Sequence, residues 1–397
     1  MKNILFVSMS APPQKGAESI QVGRYLKYLK SAFNIELITT NTPNHSWVRE
    51  DRSIATELIT NNRLEIKVYR GKFLNKILHI FNRDSPEDRF VNNYENVIKE
   101  LKQNPDIIYS RALPHSSTLL AKKLKDHFKV PWVIHLSDPW EDNTFINNKN
   151  NSSIEHECFN SAAIVTLTSD LAVQFYKKKY PELRNKFVLM PNVFDEETTQ
   201  RPRFENNNDV LIITHTGNFY GSRNPAIILN VLSQLKQEKK LQNVKLYFAG
   251  EMDAFSKQLI ETSNLPEIEV LGSINLDESI ELQQKSDILL IINKKQETIA
   301  DLTTLPSKLL DYCSTRKPIL AITPKGSSTD SFISNYGVGH SFDNNQVIEI
   351  KNHIISLIDD FKNKKGFLSY EPPRKYGAIY NAEKLSNLIN LVIENNS

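Results

Sequence analysis

Cysteine is nearly missing from this chain. The two that occur in 397 residues, Cys158 and Cys313, are too few for a disulfide framework or a four-ligand zinc site, and a reduced, cytoplasmic setting is expected. An excess of one charge is missing too: 49 Lys and Arg against 46 Asp and Glu leave a net of +3. A generally basic nucleic-acid coat is thereby excluded, and any recognition of anions has to be local. No apolar run approaches the ~18–20 residues of a membrane span. The opening Ile4-Leu5-Phe6-Val7 is too short for a signal-peptide core and reads as a first strand. Neither a Gly-x-Gly-x-x-Gly nor a Gly-x-x-x-x-Gly-Lys-Ser/Thr loop is present, so dinucleotide and P-loop readings are weak. No Asp-x-Asp element offers itself to a metal, and no cofactor is expected.

What remains is a folding composition, 40% apolar and 24% charged, long enough for two domains of roughly 150–200 residues. Short apolar runs at 4–8, 35–39, 64–69, 106–110, 132–136 and 163–168 alternate with helical stretches. Several are continuous rather than alternating, as in a parallel sheet covered on both faces. Val22, Leu26, Leu29 and Phe33 form a stripe at helical spacing between the first two runs. The pattern restarts at 210–216 and continues through 244–248, 268–271, 287–292 and 318–322. The expected fold class is α/β, two doubly wound parallel-sheet, Rossmann-like domains facing a cleft. The boundaries are placed at 1–195 and 196–376. The polar stretch 195–209 serves as hinge, and an amphipathic helix in 377–397 packs back toward the first domain.

Candidate residues lie just after strands. Gly16 separates the first strand from its helix, where a glycine lets backbone N–H groups approach an anion. Gly217-Asn218-Phe219-Tyr220-Gly221-Ser222-Arg223 follows the first strand of the second half, and Arg223 is suited to grip a diphosphate. Pro306-Ser307-Lys308-Leu309-Leu310-Asp311-Tyr312 marks a helix start whose N–H groups, with Lys308, make an anion site. Asp311 is placed one turn on, to accept from a sugar diol. His135-Leu136-Ser137-Asp138-Pro139-Trp140 ends a strand with an acid–base pair of residue types. Each also has a plainer reading. Gly16 serves a turn, Arg223 a solvated loop, Asp311 a helix dipole, His135 a core and Asp138 an Asx turn.

Together these stretches resemble the retaining family-4 glycosyltransferases with the GT-B fold. The likeness runs through Pro12-Pro13-Gln14-Lys15-Gly16, His135 to Trp140, Met190-Pro191-Asn192-Val193-Phe194-Asp195, the Gly217 to Arg223 loop, Pro306 to Tyr312 and Lys317-Pro318-Ile319-Leu320. Pro105-Asp106 and Pro114-His115-Ser116 match bacterial members. The resemblance implies a transferase moving sugar from a nucleotide-sugar donor, UDP- or GDP-linked, to a glycan or lipid-linked acceptor in surface polysaccharide biosynthesis, with retention and without metal. It places Arg223, Lys308 and Ser307 at the diphosphate, Asp311 at the ribose, Gly217 and Asn218 in the donor loop, and Gly16 at the phosphates. Asp138 and His135 fall beside the transferred sugar and acceptor.

Two positions depart from the family pattern: Thr303 stands where a first acid contacts the donor sugar, with Asp301 nearby, and Asn218 stands where an arginine is usual. A sugar-nucleotide epimerase on the same fold and a non-catalytic nucleotide-sugar-binding or glycan-binding relative are the alternatives. Finally, residues 72–83 read as a helix with Lys72, Lys76, His79 and Arg83 on one face and Phe73, Leu74, Ile77, Leu78 and Phe81 opposite. That pattern suits either a peripheral contact with the inner face of the cytoplasmic membrane or a core helix with solvated lysines.

Overall fold

A computed structural model describes residues 1–41, 50–51, 53, 62–68, 85–143, 151–201, 204, 206 and 209–396. The segment 72–83, with its amphipathic pattern, lies outside the described residues. The chain divides into two compact units, Met1–Val193 with Lys375–Ser397, and Phe194–Arg374.

The first unit is built on seven parallel strands in the order β3-β2-β1-β4-β5-β6-β7. They are β1 (Asn3–Val7), β2 (Asn34–Thr40), β3 (Asn62–Ile66), β4 (Ile107–Ala112), β5 (Trp132–Leu136), β6 (Ile164–Leu167) and β7 (Phe187–Leu189). Every residue of β4 and β5 is buried, which explains why central strands read as continuous apolar runs: helices cover both faces. The edge strand β3 buries only Ile66. It therefore begins and ends earlier than the run at 64–69 suggested. Strand β7 escapes the sequence because three residues carry no readable period.

Helix Ala17–Leu29 follows β1 and buries Val22, Tyr25, Leu26 and Leu29. Helix Ala378–Glu394 packs against it, burying Ala378, Ala382, Leu385, Ile389 and Val392, alternate steps of four and three that keep one stripe inward. The chain leaves this unit over the same first helix. Arg24 Nη1 and Gln21 Nε2 both donate to the Val193 carbonyl, at 2.7 and 2.9 Å, and the Tyr25 hydroxyl donates to Pro191 at 2.6 Å. Buried backbone polar groups at the exit are thus satisfied by side chains.

The second unit repeats the plan with six parallel strands, β10-β9-β8-β11-β12-β13. These are β8 (Leu211–Thr216), β9 (Val244–Ala249), β10 (Ile268–Gly272), β11 (Ile288–Ile292), β12 (Ile319–Ile322) and β13 (Gly339–Phe342). Again the central strand, β11, is buried throughout. Strand β13 is missed by the sequence for the same reason as β7, with a glycine and a histidine among its four residues. The polar connector begins as a short helix, Glu196–Thr199, capped by the Asp195 carboxylate, which accepts from the Glu197 N–H at 3.2 Å. In each sheet the strand order reverses beside the first strand, between β1 and β4 and between β8 and β11. Ligands of such sheets bind beyond the carboxyl ends of strands at that point.

Candidate functional site

In the second unit the sheet delivers Gly217 directly after β8. Its φ of +131° and the space around it both require glycine: a Cβ there would stand 2.6 Å from Lys308 Nζ. The lysine ammonium therefore sits where any side chain at 217 would be. The neighbouring strand is fitted to the same loop. Gly250 follows β9 with φ +149°, and a Cβ on it would meet the Gly217 carbonyl oxygen at 2.2 Å. The Gly217 N–H donates to the Ala249 carbonyl at 2.7 Å, and the Glu251 N–H donates to Asn218 Oδ1 at 2.9 Å. Asn218 is thus an exposed brace for the loop.

Lys308 lies in the first turn of helix Ser307–Ser314, which Pro306 introduces. Proline there sets the entry backbone angle, and Ser307 and Lys308 place the first-turn N–H groups and an ammonium together. The helix is tied to the end of β8 by Tyr312. Its hydroxyl accepts from the Thr216 N–H at 2.6 Å, and Gln283 Nε2 reaches Thr216 Oγ1 at 3.0 Å. Asp311, half-buried, lies one turn along the same helix.

His215, fully buried in β8, completes the group. Its Nδ1 lies 2.9 Å from the Leu290 carbonyl, an acceptor only, so Nδ1 carries the proton and Nε2 is left as acceptor. Lys308 Nζ lies 3.3 Å from that Nε2. The imidazole stacks on Phe219, centroids 4.4 Å apart, and meets Phe248 edge-on. Burial, then the charge of Lys308, hold His215 well below its ordinary pKa. Burial, then Arg223, hold Lys308 well below the lysine range. Arg223 is presented by the tight turn Tyr220-Gly221-Ser222-Arg223, closed by reciprocal backbone bonds of 3.0 and 3.1 Å. Its guanidinium lies over the Tyr220 ring, and Nη1 donates to the Tyr220 hydroxyl at 3.0 Å. The buried Nε has no partner among the described residues. Two cations that disfavour one another at a helix N-terminus make a site for an anion.

The remaining donor-side candidates are placed differently. Thr303 is buried, its hydroxyl donating to the Ala300 carbonyl at 2.7 Å. Asp301 pairs with Lys294 and accepts from the Glu297 and Thr298 N–H groups at 2.9 and 2.8 Å. Those contacts hold its pKa low against burial, so the carboxylate braces its own loop.

The first unit gathers a second group. Gly16, φ +152°, ends the loop after β1 with no atom near a would-be Cβ, and helix Ala17–Leu29 starts at once. Glu18 in its first turn accepts from Arg111 Nε at 2.7 Å and from the Ser137 hydroxyl at 2.5 Å. Arg111, wholly buried at the end of β4, also donates through Nη2 to Asn192 at 2.9 Å. Burial raises the Glu18 pKa against these partners, and nearby Asp138 adds to the rise. His135 is fully buried in β5. Because Thr166 Oγ1 donates to the Ile134 carbonyl at 3.1 Å, the His135 Nδ1–H donates to Thr166 Oγ1 at 3.0 Å. Burial and Arg111 keep this imidazole neutral. Its ring is wholly buried, and Nε2 has no hydrogen-bond partner among the described residues. Apart from these, Glu141, Asp142 and Glu155 are gathered around the Lys179 ammonium at 2.6, 2.6 and 2.8 Å.

Residues 196–370 match the family of glycosyl transferases group 1. That span is nearly the whole second unit. Solved structures add the fold of the entire chain. The Anabaena protein Alr3699/HepE, in complex with UDP and glucose, is similar at 12% identity and TM-score 0.65, over 98% of this chain and all of that one. The Escherichia coli trehalose-6-phosphate protein bound with UDP-2-fluoro glucose is similar at 9% identity and TM-score 0.67, over 99% of both chains. A putative UDP-N-acetylglucosamine 2-epimerase from Listeria monocytogenes is similar at 11% identity and TM-score 0.63, over 100% of this chain and 98% of that one. The architecture is therefore GT-B. No curated protein matches the chain in sequence.

Within the span that matches the family, the structure brings Gly217, Arg223, Ser307 and Lys308 to one place, on loops that follow β8 and open helix Ser307–Ser314. His215 and Gly250 belong there as well and are not marked by the sequence. A histidine inside an apolar strand reads as core, and the glycine's constraint comes from a different strand. Arg111 and Glu18 in the first unit were likewise hidden, one inside a strand and the other on a helix otherwise read for its apolar stripe.

Proposed function

We propose that this chain is a retaining glycosyltransferase that moves a sugar from a nucleotide-sugar donor to a glycan or lipid-linked acceptor, in bacterial surface polysaccharide biosynthesis at the cytoplasmic side of the membrane. The observation that carries the reading is the pairing of Arg223 and Lys308 around Gly217 at a helix N-terminus, inside the domain that matches the glycosyl transferases group 1 family. Cleavage of a glycosyl–phosphate bond leaves a nucleoside diphosphate with extra negative charge. Cations fixed before the reaction stabilise that charge as it develops, without reorganisation. Asp311 is assigned the ribose hydroxyls, Gly16 a backbone contact to phosphate, and Asp138 the carboxylate that serves the acceptor. Positive charge at the diphosphate comes from side chains in this scheme, consistent with a sequence that has no Asp-x-Asp element.

The test is thermal stabilisation by UDP, GDP, ADP and CMP. A ligand at 100 times its dissociation constant adds about 2.7 kcal/mol, so one nucleotide should raise the melting temperature clearly and Arg223→Ala should abolish the rise. Silence from all four, in folded protein, sinks the proposal and favours a non-catalytic relative that binds glycan. The likeness to the Listeria protein supports an epimerase as second reading. Conversion of a UDP-sugar with no acceptor present would decide for it.

A further inference from the structure

The pairing of His215 with Lys308 is not explained by packing alone. A core histidine would be satisfied by its Leu290 bond and its stack on Phe219. Here the second nitrogen is turned to the Lys308 ammonium beside Gly217, 3.3 Å away. The tautomer is dictated by the carbonyl on the far side, so Nε2 can only accept. A long lysine side chain has several rotamers and loses conformational entropy when one is fixed. An acceptor built into a strand restrains it before any ligand arrives.

We propose that His215 is the positioning residue of the diphosphate site: held as the Nδ1–H tautomer by Leu290, it presents Nε2 to the Lys308 ammonium and orients that cation toward a nucleoside diphosphate. The inference rests on the reading of the site as a nucleotide-sugar site. His215, wholly buried, touches no ligand and acts through Lys308. The stack on Phe219 adds a second restraint. Because Phe219 is itself pinned by its N–H to the Glu251 carbonyl at 2.9 Å, ring and loop move together.

Two measurements test this. In nucleotide-free protein labelled with 15N, His215 should show the neutral Nδ1–H pattern over about pH 6 to 8, and its Nε2 resonance should move in Lys308→Met. An unmoved resonance overturns the pair whether or not any ligand binds. Titration with UDP and with inorganic pyrophosphate then compares wild type, Lys308→Met, His215→Phe and His215→Gln. His215→Phe keeps an aromatic ring against Phe219 but has no acceptor. It should weaken both ligands about tenfold, the scale of one hydrogen bond to a charged group, and His215→Gln should recover most of the loss. If His215→Phe binds like wild type while Lys308→Met fails, the positioning role is wrong and the nucleotide site stands. If wild type binds none of UDP, GDP, ADP, CMP and pyrophosphate, both readings fall.

Discussion

Lys308 stands among groups that oppose its charge, because burial strips its water and Arg223 adds a second positive centre. An anion between the two reverses the balance. Burial and Arg223 depress the Lys308 pKa below the ordinary 10.5, whereas a bound diphosphate favours the ammonium and raises it. Binding therefore takes up a proton wherever pH lies between the two values, and affinity falls as pH rises through that interval. Isothermal titration of UDP from neutral pH upward should show this loss. Lys308→Arg, whose guanidinium stays charged, should flatten it; a profile identical in both proteins would falsify the assignment of Lys308 to the phosphate. At this scale the sequence shows a residue that its own local motif marks, as with Gly217 and Arg223 in one strand-following turn and Lys308 behind a helix-starting proline. It hides one whose role comes from another strand, as with His215 facing Leu290 and Gly250 facing Gly217.

At the scale of elements, the site depends on how helix Ser307–Ser314 is fixed against the end of β8. Tyr312 does this through one hydroxyl that accepts from a buried backbone N–H. Tyr312→Phe leaves the Thr216 N–H unsatisfied, a cost of about 1–3 kcal/mol. The unfolding free energy from urea titration should fall by that amount, as a lower midpoint with an unchanged slope, and UDP should bind more weakly because Lys308 shares the helix. A midpoint equal to wild type would mean that Gln283 or water replaces the hydroxyl. The central strands and helices Ala17–Leu29 and Ala378–Glu394 were legible in the sequence because burial on two faces, or on one stripe, imposes a period. Strands β7 and β13 were not: three or four residues at the far side of a sheet owe their conformation to the neighbouring strand, which the local pattern does not contain.

For the whole molecule, the decisive feature is the return of helix Ala378–Glu394 to the first unit. It contributes Leu385, Ile389, Val392 and Ile393 to that unit's apolar cluster. Four such side chains stabilise by on the order of 10 kcal/mol, comparable with the full stability of about 5–15 kcal/mol of an ordinary domain. Deleting 378–397 should therefore unfold the first unit and leave 194–374 as a protease-resistant core. Survival of both units, or loss of both together, would show that the helix is not the keystone this count makes it.

The same return reverses the usual timetable of synthesis. Domains generally fold as their residues emerge, the N-terminal one first. Here the second unit has all its residues once Arg374 is made, while the first waits for Ile393 to close a cluster that began at Ile4. The unit whose strands emerge first is the unit that is completed second.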